Sequence, residues 1–513
     1  VRQFQHTSEQ KSTLLVPHQT LTYLRHHLAP ISGSIDLSDS TPLAAAWREI
    51  AEETTLTPAS LVLLRQGKSY TFRDESVRRE WTVFPFLFQL KTPEAEQQIR
   101  IDWEHEAWGW HDPDAVIRDA AGTLRGVPRL AESLRRVWFE TDLGPAASKA
   151  LADGLDALAR DHESGARQLA GAALQMLRDV VAQMDATDDG PAMEEWWAKV
   201  RFAAWHLWKN GRESMGAAIL SALLAGLAMI EQRMRQRGQG SLREDALREL
   251  DARIAARHQS AKLVSEAFAA YLEKTFALKL ASHQRISILT LSESSTIRQG
   301  LRRAAESGSV LDLRILESRP LYEGVSLAGA LAEELLTASS PPGSPRHKVT
   351  LLTDASAALA SSNIDVLVLG ADRIASSGAV SNKTGSLPAA LSAKHVCPTA
   401  KIVVLGESDK IAPPGRPEDH VVEDNDPTQL SRAWLAEYNS VRVRNVAPAI
   451  QAARNSSMSG STVEMELRNV FFEWVPASLI DGYVMETGEW TTEQIAEHSA
   501  KLEAEEKRLF GRL

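Results

Sequence analysis

From residue 286 onward the chain alternates short β-branched runs with helical stretches, and this rhythm limits the fold more than any other feature. Ile286-Ser287-Ile288-Leu289, Leu311 to Leu316, Val349-Thr350-Leu351-Leu352, Ile364 to Leu369 and Ile402-Val403-Val404-Leu405 read as strands. Thr296 to Ala305, Val325 to Leu336 and Leu387 to Ala393 read as helices. Strands separated by helices predict βαβ units and a parallel, doubly wound sheet, an α/β fold of Rossmann-like type. Such sheets bind ligands beyond the carboxyl ends of their strands. The expected strand ends are Ser292-Glu293-Ser294-Ser295, Glu317-Ser318-Arg319-Pro320, Thr353-Asp354-Ala355-Ser356, Gly370-Ala371-Asp372-Arg373 and Gly406-Glu407-Ser408-Asp409-Lys410. All are small, hydroxylic or charged, which together marks a ligand crevice. Ser294 and Ser295 also open a helix, where hydroxyls and backbone N–H groups suit a phosphate. Asp354 and Ser356 are read as ordinary helix caps. No GxGxxG follows the first strand, which disfavours a dinucleotide.

Upstream the texture changes. Residues 127 to about 275 read almost wholly helical, and residues 1 to about 125 mix strand-like runs with one helix. Glu80 to Phe88 has the aromatic and β-branched content of a strand. A chain of 513 residues is too long for one core, and the expected domains are 1–126, 127–280 and 281–513. The longest apolar run, Ala217 to Ile230, falls short of the about 20 residues a membrane span needs and predicts a buried helix. The polar start Val1 to His6 lacks a signal-peptide core. A cytoplasmic protein without a membrane partner is expected. A formal charge of −10 gives no electrostatic footprint for nucleic acid, so none is expected as a partner. The single cysteine, Cys397, excludes an internal disulfide or a multi-thiolate zinc site and reads as a buried structural residue.

Arg48-Glu49-Ile50-Ala51-Glu52-Glu53-Thr54-Thr55 follows Gly33 and an Ala-rich lead-in. On a helix Glu49, Glu52 and Glu53 share one face. Carboxylates this close repel unless a cation neutralises them, and a hard divalent metal does so; a solvated acidic face is the other reading. The segment resembles the Nudix box, in which a glycine and then a glutamate precede Arg-Glu-x-x-Glu-Glu. Trp103-Glu104-His105-Glu106, with Trp108 and Trp110, resembles the downstream Nudix strand. The resemblance covers about residues 12 to 125 and implies a Nudix α/β/α fold. It implies Mg²⁺ or Mn²⁺ on Glu49, Glu52 and Glu53, with Glu53 in the catalytic set and Glu104 as a helper. The sequence departs at Ser34, Ser40 and Thr55, where the box has glycine, glutamate and glycine. The missing glutamate is the one that braces the arginine in the family, so the bracing part reads as lost and the metal-binding part as intact.

Gly370-Ala371-Asp372-Arg373-Ile374, Asn382-Lys383-Thr384-Gly385 and Glu317-Ser318-Arg319-Pro320 carry a second resemblance. They are similar to a family uniting the alpha, beta and delta subunits of translation initiation factor 2B with methylthioribose-1-phosphate and ribose-1,5-bisphosphate isomerases. His162 to Ala166, Asn210 to Met215 and Asn469 to Pro476 extend it from about residue 150 to the end. The family's isomerases move a proton with a cysteine and an aspartate. The aspartate matches Asp372; the cysteine position is Ser292. Ligand contacts match Gly165, Ala166, Arg212, Ser294, Ser295, Glu317, Arg319, Asn382, Lys383 and Lys410, and a homodimer is implied. The arginine that usually precedes Gly165-Ala166 is Ser164. A serine hydroxyl is far less acidic than a thiol and needs a base.

Three readings follow. One is a protein that binds a ribose-phosphate or nucleotide-type metabolite, coupled to a Nudix module that hydrolyses or senses a pyrophosphate. The second is an active sugar-phosphate isomerase, and the third a non-catalytic regulatory subunit like those of initiation factor 2B.

Overall fold

The computed structural model describes residues 14–15, 26–75, 78–162, 164–185, 190–236, 241–336, 346–417, 425–436, 450 and 466–513. The chain divides into two units. One takes Val1–Ala157, Asp179–Gly211 and Leu513; the other takes Leu158–Arg178 and Arg212–Arg512. The helical stretch expected as one subdomain over 127–280 is thus shared between them.

In the first unit the helix Pro42–Thr54 is started by Thr41, whose side chain accepts from the Ala44 N–H, and by Pro42 in its first turn. Three antiparallel pairs accompany it: β1 (Leu14–Leu15) with β6 (Trp110–His111), β2 (Leu61–Gln66) with β5 (Phe86–Leu90), and β3 (Tyr70–Asp74) with β4 (Arg79–Val83). The single strand expected over Glu80 to Phe88 is therefore two. Pro85, which has no N–H to donate, stands in the break and gives its carbonyl to the Gly67 N–H at 2.8 Å. Ile50, Leu56, Leu61 and Ile99 form a core under the helix.

The second unit holds a seven-stranded sheet ordered β16-β15-β13-β10-β7-β8-β9. Its strands are β7 (Ile286–Leu291), β8 (Leu311–Leu316), β9 (Lys348–Leu352), β10 (Val366–Leu369), β13 (Lys401–Leu405), β15 (Gly482–Met485) and β16 (Gly488–Trp490). All pairs are parallel except β15 with β16. Alternate residues feed two cores. Ile286, Ile288, Leu313, Ile315, Val366 and Val368 pack on one face with Phe268, Leu301 and Leu331, and Leu289, Leu291, Leu367, Leu369 and Val404 pack on the other with Ala389 and Ile495. Burial on both faces explains why these strands read as unbroken apolar runs. Gly300 lets helix Ser295–Glu306 approach closely, since a β-carbon there would stand 3.0 Å from Phe268 and 3.1 Å from Leu405. The apolar helix expected over 217–230 forms within Gly216–Arg235 and is mostly buried.

Strand order reverses at β7: β8 and β9 lie on one side, β10 and β13 on the other. The crevice between the carboxyl ends of β7 and β10 is the switch point at which such folds bind ligands. A smaller antiparallel sheet of β11 (Arg373–Ile374), β12 (Val380–Lys383) and β14 (Phe472–Val475) follows β10 and folds the segment after Asp372 back on itself.

His206 is fully buried in the first unit against the rings of Phe139, Phe202 and Trp205. Burial, with Arg65 adding to it, pushes its imidazole down to about 3. A folded pKa below the unfolded one means that the unfolded chain binds the extra proton. Stability supplied by neutral His206 is therefore intact above about 6.5 and is lost as pH falls toward about 3. Thermal melts across this window should show His206→Phe flattening the acid limb; an unchanged slope contradicts the assignment.

Candidate functional site

The crevice of the second unit is assembled from four strand ends and one helical loop. After β7 the chain turns at Ser292, whose φ of 64° lies in the left-handed region. The Ser292 N–H donates to Ser318 Oγ at 2.7 Å, locking the ends of β7 and β8 together. Ser294 caps helix Ser295–Glu306 by accepting the Ile297 N–H at 3.3 Å. Gly370 brings the end of β10 alongside: a β-carbon there would lie 3.2 Å from Asn382 Oδ1 and 3.7 Å from Ser294 Oγ. Asn382 donates to Ser386 Oγ at 2.8 Å and is held rigidly.

Asp372 follows Gly370, and its electrostatic neighbours are Lys410, Lys383, Arg212 and Glu323. Burial raises its pKa, and the three cations only partly offset this. Lys383 pairs at 2.9 Å with Glu323, a residue that sequence reasoning missed. Lys410 pairs with Glu407 at 3.2 Å, both buried. Burial works against its ammonium, but Glu407, Asp372 and Asp409 outweigh this and raise its pKa. Arg212 donates to the Asp161 carbonyl at 2.5 Å, which ties it to the loop preceding Ser164, Gly165 and Ala166. Ser295 Oγ accepts from Arg167 at 3.1 Å.

Two expected contacts, Glu317 and Arg319, pair with each other. Arg319 Nε donates to Glu317 Oε1 at 3.0 Å, and the Arg319 side chain is largely exposed. Asp354, expected as a cap, instead braces the end of β8. Its carboxylate accepts the Ser318 and Arg319 N–H groups, each at 2.8 Å. Cys397 ends helix Ser386–Val396 and is half-buried rather than buried.

In the first unit the carboxylates of Pro42–Thr54 divide. Arg48 donates to Glu49 at 2.7 Å and to Glu52 at 3.2 Å, and forks onto Asp39 at 2.9 and 3.3 Å. The brace expected as lost at Ser40 is present one residue earlier, in Asp39. The Glu49 carboxylate lies over Gly33, where a β-carbon would come within 1.9 Å; this glycine likewise stands one residue before Ser34. Thr55 adopts φ 62°, the left-handed helix end that the box glycine suits, and holds it by donating to the Gln98 carbonyl at 2.8 Å.

Glu53 points elsewhere. It is buried, 3.3 Å from His105 Nε2, and His105 Nδ1 lies 2.7 Å from Asp102 Oδ1. Burial, then the charges of Glu49, Asp102 and Glu104, raise Glu53 to about 8. Its Oε2 has no hydrogen-bond partner. Among the described residues no group of three or more His, Cys, Asp or Glu side chains is arranged to hold a metal, so the expected set of Glu49, Glu52 and Glu53 does not converge here. The buried, unbalanced Glu53 carboxylate nonetheless has the chemistry of a cation ligand. Trp103 to Glu106 is a turn rather than a strand, because Asp102 Oδ1 also accepts the Glu104 N–H at 3.1 Å.

Residues 162–492 match the Initiation factor 2 subunit family and residues 6–137 the NUDIX domain. The chain belongs to the Initiation factor 2 subunit family and carries a NUDIX domain ahead of that part. A "Probable bifunctional methylthioribose-1-phosphate isomerase/methylthioribulose-1-phosphate dehydratase" of Nocardia farcinica is 30% identical over 236 residues, 46% of this chain and 37% of that protein. The methylthioribose-1-phosphate isomerase of Schizosaccharomyces japonicus is 28% identical, over 43% of this chain and 59% of that one. That of Syntrophotalea carbinolica is 27% identical over 67% of this chain and 82% of its own. The chain spans about half the length of the first two of these curated relatives. Among solved structures, the translation initiation factor eIF-2B of Pyrococcus horikoshii OT3 is similar with a TM-score of 0.44 at 18% identity, covering 66% of this chain and 96% of that one.

Arg257 Nη1 meets Asp409 Oδ2 at 2.5 Å behind the crevice, both side chains buried. Arg257→Ala leaves Asp409 unpaired and should cost about 3–5 kcal/mol in urea unfolding. The double change Arg257→Met, Asp409→Leu should recover most of it, and failure to recover would mean that the pair does more than neutralise charge.

Proposed function

We propose that the Initiation factor 2 subunit part of the chain binds a ribose-phosphate or nucleotide-type metabolite in the crevice between β7 and β10. The NUDIX domain hydrolyses or senses a pyrophosphate compound. The carrying observation is that three cations, Lys410, Lys383 and Arg212, act electrostatically on the carboxylate of Asp372 at the end of β10. Each cation already has a protein partner, but a guanidinium and two ammoniums carry further N–H donors for a phosphate, while Asp372 can accept from sugar hydroxyls. In the NUDIX domain, Glu53 would take Mg²⁺ or Mn²⁺, with Glu49 and Glu52 joining it only on turning from Arg48, and the ion would supply Lewis acidity toward a phosphoryl oxygen and a more acidic bound water. Until then Arg48, itself held by Asp39, fixes Glu49 and Glu52. A cytoplasmic homodimer is the setting we infer.

An active sugar-phosphate isomerase is the second reading, favoured by relatives named methylthioribose-1-phosphate isomerase. Asp372 would then move the proton with a partner other than a thiol, because position 292 is a serine.

Calorimetry with methylthioribose 1-phosphate and ribose 1,5-bisphosphate separates these readings. Binding without isomerisation is expected; turnover within the usual range of about 1 to 1,000 per second establishes the isomerase instead. Absence of binding at millimolar ligand rejects both. For the NUDIX domain, millimolar Mn²⁺ should raise the melting temperature, and Glu52→Gln with Glu53→Gln should abolish the rise. A wild type indifferent to metal leaves only an acidic helix face.

A further inference from the structure

We propose that Arg167 is the guanidinium that clamps the phosphate of the crevice ligand against the start of helix Ser295–Glu306. This deepens the binding role proposed for that crevice and rests on it.

Position 164 is occupied by serine, which carries no charge, and its N–H is spent on Asp161 Oδ1 at 2.8 Å. Arg167 lies one residue past Gly165-Ala166, at the start of helix Ala166–Gln183. Its side chain crosses to the sheet, where Nη2 donates to Ser295 Oγ at 3.1 Å. Ser295 is the first residue of a helix whose opening amides carry partial positive charge, and the Ser294 hydroxyl takes the Ile297 N–H. A guanidinium touching that terminus adds a planar, permanently charged fork beside it.

The fork is only partly used by the protein. Arg167 Nε is buried and has no hydrogen-bond partner. The nearest carboxylate, Glu407 Oε1, is 3.8 Å away, too far for a hydrogen bond. Glu407 is also engaged by Lys410 at 3.2 Å and by the Thr296 hydroxyl at 3.1 Å. A buried donor left unmade is costly, and an incoming phosphate oxygen satisfies it. The base of the side chain is anchored, since the Arg167 carbonyl accepts from Arg257 Nη2 at 3.3 Å. Arg167 thus provides from the helix the charge that position 164 does not provide from the loop.

The test is titration calorimetry on the full chain, with methylthioribose 1-phosphate and its dephosphorylated sugar as probes. Arg167→Ala should weaken binding of the phosphorylated probe tenfold or more and reduce the salt dependence of its affinity. Binding of the dephosphorylated sugar and the melting temperature should not change. Arg167→Lys, which keeps the charge and loses the fork, should fall between the two. Arg167→Gln serves if the alanine variant does not fold. If the wild type binds the phosphorylated probe and the variants bind it equally well, Arg167 is not the clamp and the crevice reading stands. If the wild type does not bind it at millimolar concentration, the crevice reading fails and this inference with it.

Discussion

Arg257 ties the helical wall of the crevice to its sheet wall. It sits on the long helix Leu242–Thr275, pairs with Asp409 in the loop after β13, and reaches the carbonyl of Arg167 on the neighbouring helix Ala166–Gln183. Buried charges are tolerated only in good geometry, so this pair holds the helix and the turn after β13 to one arrangement. Lys410 is fixed because it belongs to the same turn, Ser408–Lys410, whose other end Glu486 holds through the Ser408 N–H and hydroxyl. Lys410 in turn orders Glu407, and both shape the field felt by Asp372. One cation of the crevice, Lys410, is thus positioned with the help of an ion pair lying outside it.

The parallel sheet was legible because burial on both faces makes each strand an apolar run and each crossover a helix. Leu311 to Leu316 has the expected bounds, and β7 and β13 differ from expectation only at their ends. What escaped was structure whose cause is remote in sequence. The small sheet of β11, β12 and β14 pairs residues near 380 with residues near 474, and no local pattern announces that. The polar strand ends marked the crevice, but the partners within it did not show. Glu323 takes Lys383, Arg257 takes Asp409, and Glu317 and Arg319 pair with each other, because ion pairing depends on three-dimensional proximity rather than spacing.

The NUDIX domain gives a different lesson about motif reading. Counting from Arg48, the box residues fall on Ser34 and Ser40, and the pattern looks broken. In space Gly33 lies under Glu49 and Asp39 forks onto Arg48, so both jobs are done one position earlier. A loop entering a helix can absorb a shift of one residue; a helix cannot, because a single step turns a side chain by about 100°. The helical part of the motif is accordingly in register and the loop part is not. His105 has no sequence signal as a site residue: a turn brings it to Asp102, and its other ring nitrogen reaches Glu53 on the helix.

The left-handed turn at Ser292 restricts what chemistry can stand at the head of the crevice. Its shape is imposed from outside, by the Ser318 hydroxyl on the Ser292 N–H, and not by the side chain at that position. The backbone turn therefore does not require either oxygen or sulfur at that position. It is not indifferent to branching, since a β-branched residue at positive φ is strained. Threonine is thus disfavoured, while serine and cysteine, both unbranched at the β-carbon, meet the same backbone demand. Reactivity at this spot can be turned down by replacing one atom, with the surrounding architecture left standing, so a catalyst and a receptor can share one backbone.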